Sequence, residues 1–246
     1  MSCLSPVFFN RQFRRGHTLL GRHRHAESYI ALVLSGGYEE AGDRGRVHVR
    51  AGDFVMHGAY EAHLNRYDPD GAEVLNLALP WWFEPGTAVT RVTDPDAVVR
   101  VAERDPQEAA TMALSLMEPV RPDGMIRAVD WPYELATALQ SEPNMRLGDW
   151  GRQHCLAGET ISRGFRKVFG VSPSAYRAQH RARRAWRMIV REHNSLCEIA
   201  TQAGFCDQAH MTRDVRAITG KAPGEWRRHV KWIQDESNAP EAFSYA

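Results

Sequence analysis

At 246 residues, with 43% hydrophobic and 25% charged side chains, the chain is long enough for two modest cores and has an ordinary globular composition. No apolar run is long enough to span a bilayer, and the N-terminus shows no charged-then-apolar leader, so a cytoplasmic protein without membrane contact is expected. The net charge of +1 hides an imbalance: residues 1–144 carry 14 Lys and Arg against 20 Asp and Glu, whereas residues 145–232 carry 17 against 7. A basic block joined to an acidic one is the electrostatic footprint of nucleic-acid binding. Cys3, Cys155, Cys197 and Cys206 show no CxxC spacing, and buried, unpaired thiols are expected.

Between His17 and Pro80 short alternating runs (HTLLG, SYIALVLSGG, GRVHVRAGDFVMHG, AHLNRYD, AEVLNLALP) are punctuated by Gly36-Gly37, Gly42, Gly45, Gly52 and Asp70-Gly71. Strands separated by glycine turns predict a β-sandwich or small barrel. His23-Arg24-His25-Ala26-Glu27, then Arg50-Ala51-Gly52-Asp53-Phe54 leading to His63, resemble the two motifs of a cupin. In metal cupins two histidines, a glutamate and a later histidine converge on one ion, a donor set suited to iron, manganese, nickel or zinc. Here the expected glutamate position holds Tyr29 or Ile30. Three readings stay open: a metal-free pocket for a small molecule, a metal site on His23, His25 and His63, and a barrel used for dimerisation. No metal or cofactor is assigned. His25, Tyr29, Met56 and His63 are the expected ligand-lining residues, since strands alternate faces.

Asp94-Pro95 and Asp105-Pro106 read as helix starts, residues 107–118 as a helix bearing Ala110, Leu114 and Met117, and Trp131 to Ser141 as another. Two readings of their apolar stripes stay open: helices packed onto the barrel, or a dimer surface. Glu142-Pro143-Asn144 marks a domain boundary.

Beyond it, Ser195 with Glu198 forms a capping box, Leu196, Ile199, Ala200 and Ala203 a buried face, Gly204 a helix stop, and Asp207 the N-cap of a second helix with Met211, Val215 and Ile218 inward. Gly220 closes it and Pro223 starts a third helix carrying Trp226. This is a helix-turn-helix, whose second helix enters the major groove of DNA. The stretch Leu147 to Arg177 repeats it: Leu147 pairs with Leu196, Ile161 with Met211, Arg163 with Arg213, Phe165 with Val215, Arg166 with Arg216, Gly170 with Gly220, Pro173 with Pro223, and Tyr176 with Trp226. The first copy has Gly151, Cys155 and Ala157 where a helix former, a turn glycine and a cap would serve, so it is the less well specified half. Between the copies a helix from Pro173 to about Glu192 turns Tyr176, Ala182, Ala185, Trp186, Ile189 and Val190 inward. Its length of about 30 Å is close to the ~34 Å between successive major grooves on one DNA face.

Residues 144–232 resemble the AraC/XylS family of bacterial transcription regulators, and the cupin-like half resembles that family's sensor domain. The resemblance implies an α+β chain: a cupin-like β-barrel (1–93), a helical linker with a possible dimer surface (94–143), an all-α tandem helix-turn-helix DNA-binding domain (144–232), and an acidic, disordered tail (233–246). It implies an activator that binds double-stranded DNA, contacts RNA polymerase, forms a homodimer and responds to a small-molecule effector. The DNA-facing residues would be Glu159, Thr160, Ser162, Arg163 and Arg166 in the first motif, and Gln208, Ala209, His210, Thr212, Arg213 and Arg216 in the second. Arg163 and Arg213 suit guanine and Gln208 adenine, though either arginine can equally grip phosphate or brace the fold. Glu159 is a cytosine reader or a solvated side chain, and His210 a contact or a packed ring. The competing readings are a metal-dependent cupin enzyme on His23, His25, Glu27 and His63, and a ligand-independent regulator.

Overall fold

The alternating stretch folds into one sharply bent sheet. The computed structural model describes all residues except 1–2, 8, 44, 82, 85–88, 119–129, 143–144 and 238–246. Its strands are β1 (Cys3–Leu4), β2 (Arg11–Arg14), β3 (Leu19–Arg24), β4 (Ser28–Gly42), β5 (Gly45–Arg50), β6 (Asp53–His57), β7 (Ala62–Leu79) and β8 (Val89–Arg91). The hydrogen-bonded path runs β1-β3-β7-β4-β6-β8, with β2 added to β7 and β5 to β4. Pairing is antiparallel except between β1 and β3. Among the described residues the path does not return to its start, so an open sheet stands where a closed barrel was expected.

Two expected turns are bends inside long strands. β4 passes through Gly36-Gly37 and β7 through Asp70-Gly71, and the β4–β7 register shifts around Gly36. Gly36 has φ +67°, and a Cβ there would sit 2.0 Å from the Gly71 carbonyl oxygen. Glycine therefore serves as a bulge that folds two paired strands over together.

Strand alternation gives the sheet two apolar faces. Tyr29, Ala31 and Val33 of β4 join Tyr38, Val49, Val55 and Tyr67 on one. Ile30 and Leu32 join Phe54, Met56, Leu75 and Leu77 on the other, covered by α1 (Pro95–Ala102) and α2 (Pro106–Ser115) through Val98, Ala109, Ala110 and Ala113. Asp94 and Asp105 cap these helices, each with a proline in the first turn. α3 (Trp131–Ser141) is capped by Asp130 and buries Leu135, Ala136 and Leu139. Of the expected stripes, Ala110, Leu135 and Leu139 are buried within the chain, Leu114 and Ala138 are half-buried, and Met117, past the end of α2, is exposed.

The helical region comprises α4 (Leu147–Gln153), α5 (Gly158–Phe169), α6 (Pro173–Arg191), α7 (Leu196–Gln202), α8 (Gln208–Thr219) and α9 (Pro223–Ser237). α9 carries helix into the stretch expected as an acidic tail, whose residues 238–246 lie outside the described ones. Contacts divide the chain into Met1–Tyr176 and Arg177–Ala246. The division falls inside α6. The first motif, α4 and α5, therefore belongs to the unit that holds the sheet, and the second motif to the other. No helix among the described residues is long and apolar enough to cross a membrane.

Candidate functional site

In the second motif each helix end has its own chemical cause. The Ser195 hydroxyl accepts from the Glu198 amide at 3.2 Å and the Glu198 carboxylate accepts from the Ser195 amide at 2.8 Å, a reciprocal capping box. Those bonds hold the Glu198 carboxyl below its ordinary pKa. Gly204 takes φ +83° in the turn. Asp207 accepts from the His210 amide at 2.6 Å and starts α8, which Gly220 ends in the left-handed conformation. Ile199, Ala200, Met211, Val215 and Ile218 are buried. Trp226 of α9 donates its indole N–H to the Thr219 hydroxyl at 2.9 Å and meets Trp186 of α6 edge-on.

The first motif copies the backbone without the caps. α4 and α7 are each seven residues long, α5 and α8 twelve. No side chain caps α4 or α5, and Cys155 adopts φ +55° where the other copy has a glycine. Tertiary packing supplies what the local sequence lacks. Phe165 and Phe169 of α5 share a core with Trp150, Leu135 and Leu139, and with Ala41 and Leu64 of the sheet. A Cβ on Gly164 would lie 2.4 Å from the Trp131 ring, so only glycine lets α3 approach α5 this closely.

Glu159, Thr160, Arg163 and Arg166 are exposed on α5, with Ser162 half-buried; Gln208, Ala209, Arg213 and Arg216 are exposed on α8, with Thr212 half-buried. Arg163 lies 3.4 Å from Glu159 one turn earlier, so its guanidinium already has a carboxylate neighbour. His210 is packed: its Nε2 accepts from Arg181 at 3.3 Å, lies 3.5 Å from Asp214, and its ring meets Phe205 edge-on. Arg181, on α6, also donates to the Gly204 carbonyl and stacks over Phe205. It ties the turn of the second motif to α8, a role that sequence pattern does not reveal. Cys155, Cys197 and Cys206 are exposed free thiols, not the expected buried ones; they lie on outward helix and turn positions.

A cavity of about 210 Å³ opens on the Tyr29 face of the sheet. His25, Tyr29 and His63 line it as expected, together with His23 and His57. Met56 does not: it belongs to the opposite core with Ile30 and Phe54. Tyr29 pairs with His57 in the β4–β6 ladder and Ile30 with Met56, so His57 faces the cavity and stacks on Tyr29 at 4.4 Å. The register, which fixes this parity, is invisible in one strand alone. Glu27 is exposed and outside the cluster. The rings of His23 and His63 are 4.4 Å apart, as are those of His57 and His63. Burial lowers the His23 pKa to about 4 and also lowers those of His25 and His63, so the three rings are neutral near pH 7.

A family model described as a helix-turn-helix domain matches residues 150–229. The HTH-type transcriptional regulator ExsA of Pseudomonas aeruginosa is 30% identical over 83 residues, which is 34% of this chain and 30% of that protein. The virulence regulon transcriptional activator VirF of Yersinia enterocolitica is 28% identical over 82 residues, 33% of this chain and 30% of that one. The match thus spans under a third of each relative's length. Among solved structures, ToxT of Vibrio cholerae aligns with 89% of this chain and 97% of its own, at 9% identity and a TM-score of 0.41.

Proposed function

We propose that the protein is a sequence-specific DNA-binding transcription regulator of the AraC/XylS type working in the cytoplasm, a reading supported by the helix-turn-helix domain model that matches residues 150–229. Residues 1–93 sense a small molecule, 94–143 link, and 144–232 bind DNA. One observation carries this reading: two copies of the same helix pair present exposed arginines at equivalent positions, Arg163 with Arg213 and Arg166 with Arg216, within a block of 17 basic against 7 acidic residues. Such a surface neutralises phosphates over a long footprint, while the outward residues of α5 and α8 read base edges. Glu159, Thr160, Ser162 and Arg163 read one groove; Gln208, Thr212 and Arg213 read the next; Arg166 and Arg216 hold the backbone. The packing of His210 supports a bracing role for it. The protein binds as a homodimer and activates through RNA polymerase, a direction supported by the name of the VirF relative. The cavity residues His25, Tyr29 and His63 contact the effector.

Selection of bound fragments from genomic DNA by the full-length protein tests this. Enrichment of paired half-sites about 10 base pairs apart is expected. Recovery of random sequence at every salt concentration would contradict it.

A further inference from the structure

Three imidazoles, His23 on β3, His25 just after it and His63 on the neighbouring β7, come together in the cavity. The Nδ1–H of His23 donates to the Gly21 carbonyl at 2.8 Å and that of His25 to the Ser5 carbonyl at 2.7 Å. A carbonyl can only accept, so both rings are Nδ1–H tautomers with an unshared pair on Nε2. Metal-ligating histidines are oriented in this way, the second nitrogen donating to a carbonyl or carboxylate. His63 is 3% exposed, its Nδ1 has no hydrogen-bond partner among the described residues, and its Nε2 meets only the Tyr29 hydroxyl, at a long 3.4 Å. One ligand nitrogen from each ring lies within 4.8 Å of the other two.

We propose that His23, His25 and His63 hold a divalent transition-metal ion, and that this ion is the effector to which the first helix-turn-helix motif responds. The proposal rests on the regulator reading and supplies the chemical class of its effector. Neutral imidazoles without thiolates suit zinc, nickel or iron(II) and disfavour magnesium and calcium. The triad itself holds no carboxylate: Glu27 is exposed, and the buried Glu40 groups with His57 and His63 instead. His57 lies beside the triad, 3.6 Å from Glu40 and stacked on Tyr29.

Strand alternation connects this site to the DNA-binding motif within the same unit. On β3, His23 faces the cavity while its neighbour Arg22 pairs with buried Asp43 at 2.5 Å and lies 5.1 Å over the Tyr176 ring. Tyr176, at the start of α6, donates its hydroxyl to the Gly42 carbonyl and accepts from Gln140. On β7, His63 faces the cavity while its neighbour Leu64 joins the core of Phe165 and Phe169 on α5. Four-coordinate zinc with Zn–N bonds of about 2.0–2.1 Å sets ligand nitrogens about 3.4 Å apart. Closing from as much as 4.8 Å draws β3 and β7 inward by up to about an ångström, and with them the residues that seat α5. Packed interfaces convert shifts of this size into discrete rearrangements.

The test uses full-length protein stripped with a chelator. Cobalt(II) should bind at one ion per chain with the intense visible absorption of a four-coordinate site, and zinc should displace it. His23→Gln and His25→Gln should each weaken binding at least tenfold while retaining the parent circular dichroism; His48→Gln, at an exposed histidine paired with Asp68, should leave it unchanged. Zinc should alter affinity for the selected DNA at least fivefold in the parent and not in His25→Gln. Cobalt binding equal in the parent and in His25→Gln would overturn the site. Tight binding that leaves DNA affinity unmoved would overturn the effector role. A normal cobalt spectrum in a protein that binds no specific DNA would support the ion site and sink the regulator reading.

Discussion

Asp207→Ala isolates the local chemistry that distinguishes the two motifs. Asp207 is exposed, and its carboxylate accepts from the His210 amide at 2.6 Å at the start of α8. Removing such a cap costs about 0.5–2 kcal/mol, typically near 1. The negative charge at a helix N-terminus adds a further ~0.3–1 kcal/mol. Because the freed amide faces water, no burial penalty follows, and a total of about 1–2 kcal/mol is expected, or a roughly 5- to 30-fold rise in local opening. Amide hydrogen exchange across α8 reads that opening directly. Asp207→Ser should recover most of the loss, since a hydroxyl also caps. In the other motif, Ala157→Ser should slow exchange in the first turn of α5, where no side chain caps now. Exchange within twofold of the parent in Asp207→Ala, or a serine variant as fast as the alanine one, would refute the cap as the cause of the difference.

Phe165 is fully buried in the core that joins α5 to α3 and the sheet; Phe165→Ala should destabilise that unit by about 3–5 kcal/mol, seen in urea unfolding, and leave exchange in α8 near parent levels. Arg181→Ala removes the donor to Gly204 and His210 and the guanidinium over Phe205. It should weaken specific DNA binding without touching DNA itself, and a His210 ring signal unchanged by NMR would argue against it. Cys155, Cys197 and Cys206 are exposed, so a thiol reagent should modify all three in native protein within the time it takes to modify a peptide. Modification that waits for unfolding would contradict the exposure.

The helical half was readable because its determinants are local. Ser195, Glu198, Asp207, Gly204 and Gly220 act on backbone groups within four residues, and the repeat of Arg163 with Arg213 and Gly170 with Gly220 confirmed the register of both motifs. Asp94, Asp105 and Asp130 marked helix starts for the same reason. The sheet was harder. Gly36 and Gly71 look like turn residues, yet they bend strands that pair across a long sequence separation. Whether Met56 or His57 faces the cavity depends on the β4–β6 register, and a shift of one residue reverses it. The seat of the first motif on Leu64 and Ala41 joins residues about a hundred positions apart, which no periodicity within α5 records. The weak local specification of that motif at Cys155 and Ala157 is real in the structure, and a tertiary core offsets it.

The central claim is that the two motifs read separate segments of one DNA site. Hydroxyl-radical footprinting of the full-length protein on a selected site tests it most directly. Two protected segments about 10 base pairs apart are expected. Arg163→Ala should erase one and Arg213→Ala the other, each with a loss of about 1–3 kcal/mol in specific affinity and little change on random duplex. A single protected segment, or two that both survive either substitution, would contradict the account.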